Sequence, residues 1–189
     1  MLAHEQGDLL NQRRLARGLG VTATTVQRYL DVLEAAFLVR TVRPYLPQLG
    51  KRLVKSPKVY LRDSGFLHGL LRIGTFDDLP THPVVGQSWA GYVGEQLRRA
   101  LGAGAERYYY RSARGHEIDY VCEHPRFGRL AFEIERSNAP TLTKSFWTAV
   151  GDVGADVTYV VSPSVERHPL GEGVEGIGVR EVLGAVLHT

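Results

Sequence analysis

Two short stretches of this sequence place carboxylates two residues apart. Residues 116–121 read His-Glu-Ile-Asp-Tyr-Val, and residues 130–135 read Leu-Ala-Phe-Glu-Ile-Glu. In an extended strand, side chains two apart point the same way. Glu117 and Asp119 then share one face, with Ile118 and Tyr120 on the other. Glu133 and Glu135 share a face, with Leu130, Phe132 and Ile134 opposite. Strands this near in sequence are expected to pair as a hairpin, which brings four carboxylates into one patch. Like charges facing each other across strands destabilise a sheet by about 0.2–1 kcal/mol per pair, so something has to offset them. A divalent cation is one candidate, because oxygen ligands suit Mg²⁺. Arg111, Arg114, Arg136 and Lys144 are the other, and ion pairs on a solvated face need no ligand at all.

A second constellation is basic. Residues 15–30 read Leu-Ala-Arg-Gly-Leu-Gly-Val-Thr-Ala-Thr-Thr-Val-Gln-Arg-Tyr-Leu. Gly18 and Gly20 punctuate a first helix, and Thr22 is a good N-cap for a second. Val26, Leu30, Leu33 and Phe37 form one apolar stripe at helical spacing. Thr24, Thr25, Gln27, Arg28 and Asp31 take the other face, a helix-turn-helix pattern with four candidate DNA contacts in Thr24, Thr25, Gln27 and Arg28. Two strand-like runs follow, residues 37–43 and 52–62, separated by Pro44, Pro47 and Gly50. A hairpin directly after a helix-turn-helix makes a winged helix. Its second arm carries Lys51, Arg52, Lys55 and Lys58, suited to phosphate contacts.

These residues need elements to hold them. Asp63 and Ser64 can cap a short helix reaching Leu71. Residues 75–87, with Asp77, Asp78, Pro80, Pro83 and Gly86, read as a linker. A helix over residues 88–101 presents Trp89, Val93, Leu97 and Ala100, with Ala90 near the edge of that stripe. Strands are expected at 107–111, 116–121, 130–135 and 157–161, and helices at 143–150 and 179–187. The expected organisation is therefore a winged helix over 1–74, a linker over 75–87 and a second domain over 88–189. Charge divides in the same place. Residues 1–74 carry 12 Lys+Arg against 5 Asp+Glu, and residues 75–189 carry 11 against 15, within an overall net charge of +3. A basic half favours polyanions such as DNA.

Composition narrows the classes further. Hydrophobic residues at 43% and charged residues at 23% are globular values. No apolar run approaches the roughly 20 residues that span a bilayer, and the first residues lack a basic-then-apolar signal pattern, so no membrane partner and a cytoplasmic location are expected. The single cysteine, Cys122, cannot form an internal disulfide or a thiolate zinc site. The seven histidines lack ligand spacing. No Gly-x-x-x-x-Gly-Lys-Ser/Thr occurs, so no ATP site is expected in this chain.

Four stretches together resemble a known family. They are residues 25–39 (Thr-Val-Gln-Arg-Tyr-Leu-Asp-Val-Leu-Glu-Ala-Ala-Phe-Leu-Val), 55–65 (Lys-Ser-Pro-Lys-Val-Tyr-Leu-Arg-Asp-Ser-Gly), 109–120 (Tyr-Tyr-Arg-Ser-Ala-Arg-Gly-His-Glu-Ile-Asp-Tyr) and 132–137 (Phe-Glu-Ile-Glu-Arg-Ser). The chain resembles the domain that follows the ATPase domain in a family of prokaryotic AAA-type ATPases. The resemblance implies an α+β fold: an N-terminal winged helix-turn-helix, then a restriction-endonuclease-like mixed sheet flanked by helices. It also implies an ATPase domain as partner, in cis or in trans.

In nucleases with that core an Asp and a Glu hold Mg²⁺, and a Lys two residues after the Glu positions the attacking water. The matching positions are Asp119 and Glu133, as metal ligands, and Glu135, where the lysine is replaced by a carboxylate. An acidic residue on the first core helix, just after an aromatic, is also replaced: Trp89 is followed by Ala90. A lysine stabilises charge developing at phosphate, and Glu135 adds negative charge there instead. The expected function is a DNA-binding accessory module of an AAA-type ATPase, with a catalytically degenerate nuclease-like core at Asp119, Glu133 and Glu135. The alternatives are an active Mg²⁺-dependent nuclease and a protein-interaction domain docking on an ATPase. Oligomeric state is not legible.

Overall fold

The computed structural model describes residues 1–47, 50 and 52–188. The fold is α+β. Two compact units interleave along the chain: residues 1–42 with 56–92, and residues 43–55 with 93–189.

The first unit is built on a helical pair. Helix α1 (Gln12–Leu19) starts where the Asn11 side chain accepts the Arg14 N–H. It ends at Gly20, whose φ of 67° is the left-handed turn that glycine adopts at least cost. Helix α2 (Ala23–Ala35) starts at Thr22, whose hydroxyl accepts the Thr25 N–H, as the sequence predicts. Strand β1 (Val39–Pro44) pairs antiparallel with β2 (Lys58–Leu61), Val39 opposite Leu61 and Val42 opposite Lys58. The other edge of β2 is covered by residues 6–10. Gly7 N–H donates to Val59 O at 2.8 Å, and Leu10 N–H donates to Pro57 O at 2.8 Å. The buried Gln6 amide completes this edge by accepting from Leu61 N–H and donating to Leu61 O. With both edges occupied, all four residues of β2 are buried. Helix α3 (Ser64–Leu70) is capped by Asp63. Leu15, Val26, Leu30, Val59, Leu61 and Leu67 form the core.

One expectation fails here. The stripe of α2 stops at Leu33, because the helix ends at Ala35. Phe37 takes a left-handed φ of 60° and is 74% exposed. A winged helix is also not confirmed, since the connection that should form a free wing belongs to the second unit. Tyr45 N–H donates to Tyr109 O, Val54 N–H to Arg111 O, and Arg52 O accepts from Ala113 N–H. Tyr45 and Leu53 pack on the second core. The backbone bonds and apolar side chains of this segment thus find partners in the second unit, where a wing would leave them in water. Residues 75–87, expected as a linker, hold a 3₁₀ turn and the start of helix α4 (Val85–Leu101) and belong to the first unit.

The second unit centres on a mixed sheet. Strands β3 (Glu106–Arg111), β4 (Glu117–His124) and β5 (Gly128–Ile134) form an antiparallel meander. Helix α5 (Lys144–Val153) leads to β6 (Val157–Ser162), which runs parallel to β5. Strand β8 (Val174–Gly178) is parallel to β6 and antiparallel to β7 (His168–Gly171), and helix α6 (Val179–His188) closes the chain. The β7–β8 pair has no counterpart in the sequence reading. Its glycine-rich, prolyl segment lacks the alternation that marks a strand. One core, with Tyr110, Ile118, Val121, Ala131, Phe146 and Ala149, lies under α5. Residues 93–101 of α4 contribute Val93, Leu97 and Leu101, all buried. Their stripe runs through Leu101 and not Ala100, one residue out from the expected register.

Gly94 of α4 is required by close packing. A Cβ there would collide with the Tyr120 hydroxyl. Helix propensity favours Ala over Gly by about 1 kcal/mol, but overpacking costs about 1–3 kcal/mol. Gly94→Ala is therefore expected to lower stability. Gly151→Ala on α5, where a Cβ meets open space, should raise it by up to about 1 kcal/mol. Urea denaturation of the two variants tests the pair, and a stabilised Gly94→Ala would refute the contact.

Candidate functional site

The sheet ladder sets the geometry of the carboxylates. Along β3 and β4 the register runs Tyr108 opposite Val121, then Tyr110 opposite Ile118. Two residues on β3 span three on β4, so β4 carries a bulge over Asp119 and Tyr120. The alternation breaks there. Ile118 joins Val121 in the core under α5, whereas Tyr120 lies against Gly94. The expected sharing of one face by Ile118 and Tyr120 is thus corrected, because the rule of two holds only in an unbulged strand.

Asp119 sits in this bulge and its Oδ2 accepts the Ile134 N–H at 3.0 Å. The β4–β5 ladder ends at Tyr120 opposite Phe132, so the side chain of Asp119 takes over the next ladder donor. On the far side of β5, Glu135 N–H donates to Val161 O at 2.8 Å. Both edges of this stretch of β5 are therefore held, which fixes where Glu133 and Glu135 leave the backbone.

Glu133 is the least satisfied group of the cluster. Its Oε2 is closed off from solvent and has no hydrogen-bond partner. Burial raises its pKa well above the usual carboxylate range, and the charges of Asp119, Glu135 and Glu117 push it further. The Asp119 backbone N–H pulls in the other direction. Burial, then Asp119, also raises Glu135. Glu117 is ion-paired to Arg111 at 3.3 Å. Asp119, Glu133 and Glu135 thus come together, with Glu117 felt at Glu133. Among the described residues, no three His, Cys, Asp or Glu side chains are grouped as metal ligands. Lys144, the first residue of α5, is exposed and makes no ion pair among the described residues.

The expected nucleic-acid contacts are scattered. Thr24 and Arg28 are exposed on α2. Thr25 is engaged by the cap, its hydroxyl 2.9 Å from that of Thr22. Gln27 donates to Asp31 at 2.7 Å and accepts from Gln12. Lys58 is 2% exposed, so it does not project as a wing residue would. Arg52 and Lys55 are exposed but belong to the second unit, and Lys51 lies outside the described residues.

The first unit also has an apolar cavity of about 370 Å³ lined by residues that include Leu2, Leu15, Leu19, Val26, Leu30 and Phe66. Tyr29, at 52%, and Leu70, at 52%, line it and remain exposed. The spacing of these residues reads as ordinary helix stripes, and nothing in the sequence marks the cavity.

Comparison with known proteins supplies the family. Residues 85–182, more than half of the chain, match a domain of unknown function, DUF4143. The chain belongs to the DUF4143 family. Residues 1–77 match a second domain of unknown function, DUF8612. This DUF4143 chain is 40% identical over 184 residues to uncharacterised proteins of Mycobacterium tuberculosis and Mycobacterium bovis. The match covers 97% of this chain but only 41% of those relatives. No solved structure matches.

Other residues of the DUF4143 region have plain roles. Cys122 is fully buried, and burial pushes its thiol up to about 12, which suits a small packing residue. Ala90 is buried where the resemblance expects an acid. The buried carboxylate of α4 is Glu95, paired to Arg98 at 3.2 Å. Sequence reasoning missed it, because a Glu three residues before an Arg on a helix looks like an ordinary surface pair.

No membrane-spanning helix exists among the described residues, since none is long and apolar enough to cross a bilayer.

The pH dependence follows from Glu133. A carboxyl whose pKa is raised on folding binds protons in the native state that the unfolded chain has released. Stability is then lost as pH rises from about 4.5 through the raised value. Glu133→Gln removes this loss. Its denaturation midpoint should exceed that of the wild type near about pH 8, and the gap should close near about pH 4. A gap independent of pH would show that Glu133 titrates normally.

Proposed function

We propose that this chain is a binding module with a nuclease-like but non-catalytic core, working with an AAA-type ATPase domain in cis or in trans. The observation that carries the reading is Glu135. It stands two residues after Glu133, where a nuclease of this type needs a lysine, and it adds negative charge beside a Glu133 whose pKa is raised by burial first and then by Asp119 and Glu135. The β3–β4–β5 meander, α5 and parallel β6 support the restriction-endonuclease-like assignment, with Asp119 on the second strand and Glu133 on the third. Without the lysine, nothing in the cluster stabilises charge on a scissile phosphate, and loss of one such preorganised group costs about 10²–10³ in rate.

The donor set fits a divalent cation held by Asp119 and Glu133. The orphaned Glu133 Oε2 supports this, and Mg²⁺ often binds through one or two carboxylates while keeping several waters. Such a cation would supply a bound water of lowered pKa. Glu133 and Asp119 would hold it, and Glu135 would repel an incoming phosphate. Mg²⁺ or Mn²⁺ is expected to raise the melting temperature of the wild type and not of Glu133→Gln, without cleavage of supercoiled plasmid by the wild type. Cleavage that appears in Glu135→Lys supports the reading. Robust cutting by the wild type that vanishes in Asp119→Ala refutes it.

For the first unit, the reading is duplex DNA binding by α2. Arg28 and Thr24 on α2 and the exposed Arg13 and Arg17 on α1 support it. Arg28→Ala should weaken duplex binding and reduce the salt slope by about 1; unchanged affinity and slope would remove the assignment. A second reading, docking on protein, is favoured by the apolar cavity with exposed Tyr29 and Leu70 at its rim. The part of the M. tuberculosis relative outside the matched region, expressed separately, is the bait. Capture by the wild type that is lost in Leu70→Glu favours docking, and equal capture by both excludes this cavity as the seat.

A further inference from the structure

A second polar pocket in the DUF4143 unit has the opposite charge. It has a volume of about 420 Å³ and is lined by Arg52, Ser112, Arg114, His116 and Thr148, with no acidic side chain among the described lining residues. None of the four carboxylates lines it. The two arginines are brought together only by the fold. Residues 52–54 run beside the end of β3: Arg52 O accepts from Ala113 N–H at 2.9 Å, and Leu53 bridges Ser112. The turn that presents Arg114 is tied at both ends. Gly115 N–H donates to Ser112 O, His116 N–H donates to the Ser112 hydroxyl, and Gly115 takes a φ of 87° that favours glycine. His116 Nδ1 lies 2.9 Å from the Ser145 hydroxyl on α5, which anchors the ring and leaves Nε2 for another partner.

Neither arginine forms an ion pair among the described residues. The nearest acid in sequence, Glu117, is engaged by Arg111. Two arginines and a histidine lining one concave site, with no acid among its described lining residues, call for an anion. The guanidinium fork matches phosphate oxygens in a bidentate manner, and the volume is in the range of small-ligand sites. We propose that Arg52, Arg114 and His116 form a binding site for a phosphoryl group, carried either by a nucleic-acid backbone or by a small phosphate compound. The site is independent of α2 and of the acidic cluster, so it stands whether or not the first unit binds DNA.

The full chain is titrated with inorganic phosphate and, separately, with a short DNA duplex. The His116 Cε1–H resonance is followed by NMR and affinity by calorimetry. The resonance is expected to move with at least one probe. Affinity for that probe should fall at least about tenfold in Arg52→Ala/Arg114→Ala and again in Thr148→Glu, which places a carboxylate in the pocket without removing either arginine. Displacement of phosphate by duplex identifies the nucleic-acid source, and phosphate binding without duplex binding identifies a small phosphate. No movement of the resonance with either probe, or wild-type affinity in both folded variants, overturns the site.

Discussion

The hydrogen bond from Ile134 N–H to the Asp119 carboxylate is the constraint on which the acidic site depends. A bulge in β4 removes the backbone acceptor that Ile134 would have met, and a buried unpaired N–H costs about 1–3 kcal/mol. The Asp119 side chain supplies that acceptor. One residue thereby satisfies the ladder, fixes its own carboxylate beside β5 and sets its charge against Glu133 and Glu135. Bulges commonly re-aim side chains at functional sites, and this one splits the neighbours of Asp119, leaving Ile118 in the α5 core and Tyr120 against Gly94.

The cost of that arrangement falls on Glu133. Its Oε2 is dry and unpaired, with three carboxylates acting on it. Such a group is held neutral or is compensated by a cation. Glu135, two residues after Glu133, adds a further negative charge to this cluster and is itself raised by burial and then by Asp119. A separate pocket of this unit is lined by Arg52 and Arg114, on backbone held beside the end of β3.

The first unit shows the same competition between local pattern and long-range contact. Thr22, Gly20 and the α1–α2 pair follow from local rules, because capping and left-handed turns depend on a few neighbouring residues. The wing does not follow. Its proposed basic arm is pulled apart: Lys58 is buried in β2 between β1 and residues 6–10, while Arg52 pairs with the end of β3. Lysine side chains at β spacing look alike in sequence whether the strand is an exposed arm or a covered central strand.

The sequence by itself determined the helices, the meander strands, the two-residue spacing of Glu133 and Glu135 and the absence of a lysine after Glu133, since each depends on residue type and short-range period. It also carried the resemblance that led to Asp119 and Glu133. Tertiary structure alone decided four things: the bulge at Asp119, the burial of Lys58, the transfer of residues 43–55 to the second unit, and the meeting of Arg52 with Arg114. The physical reason is common to all four. A backbone N–H or an apolar side chain takes whichever partner the fold brings to it, and those partners are 15 residues away for Asp119 and Ile134 and farther still for Arg52 and Ala113, beyond the reach of any local pattern.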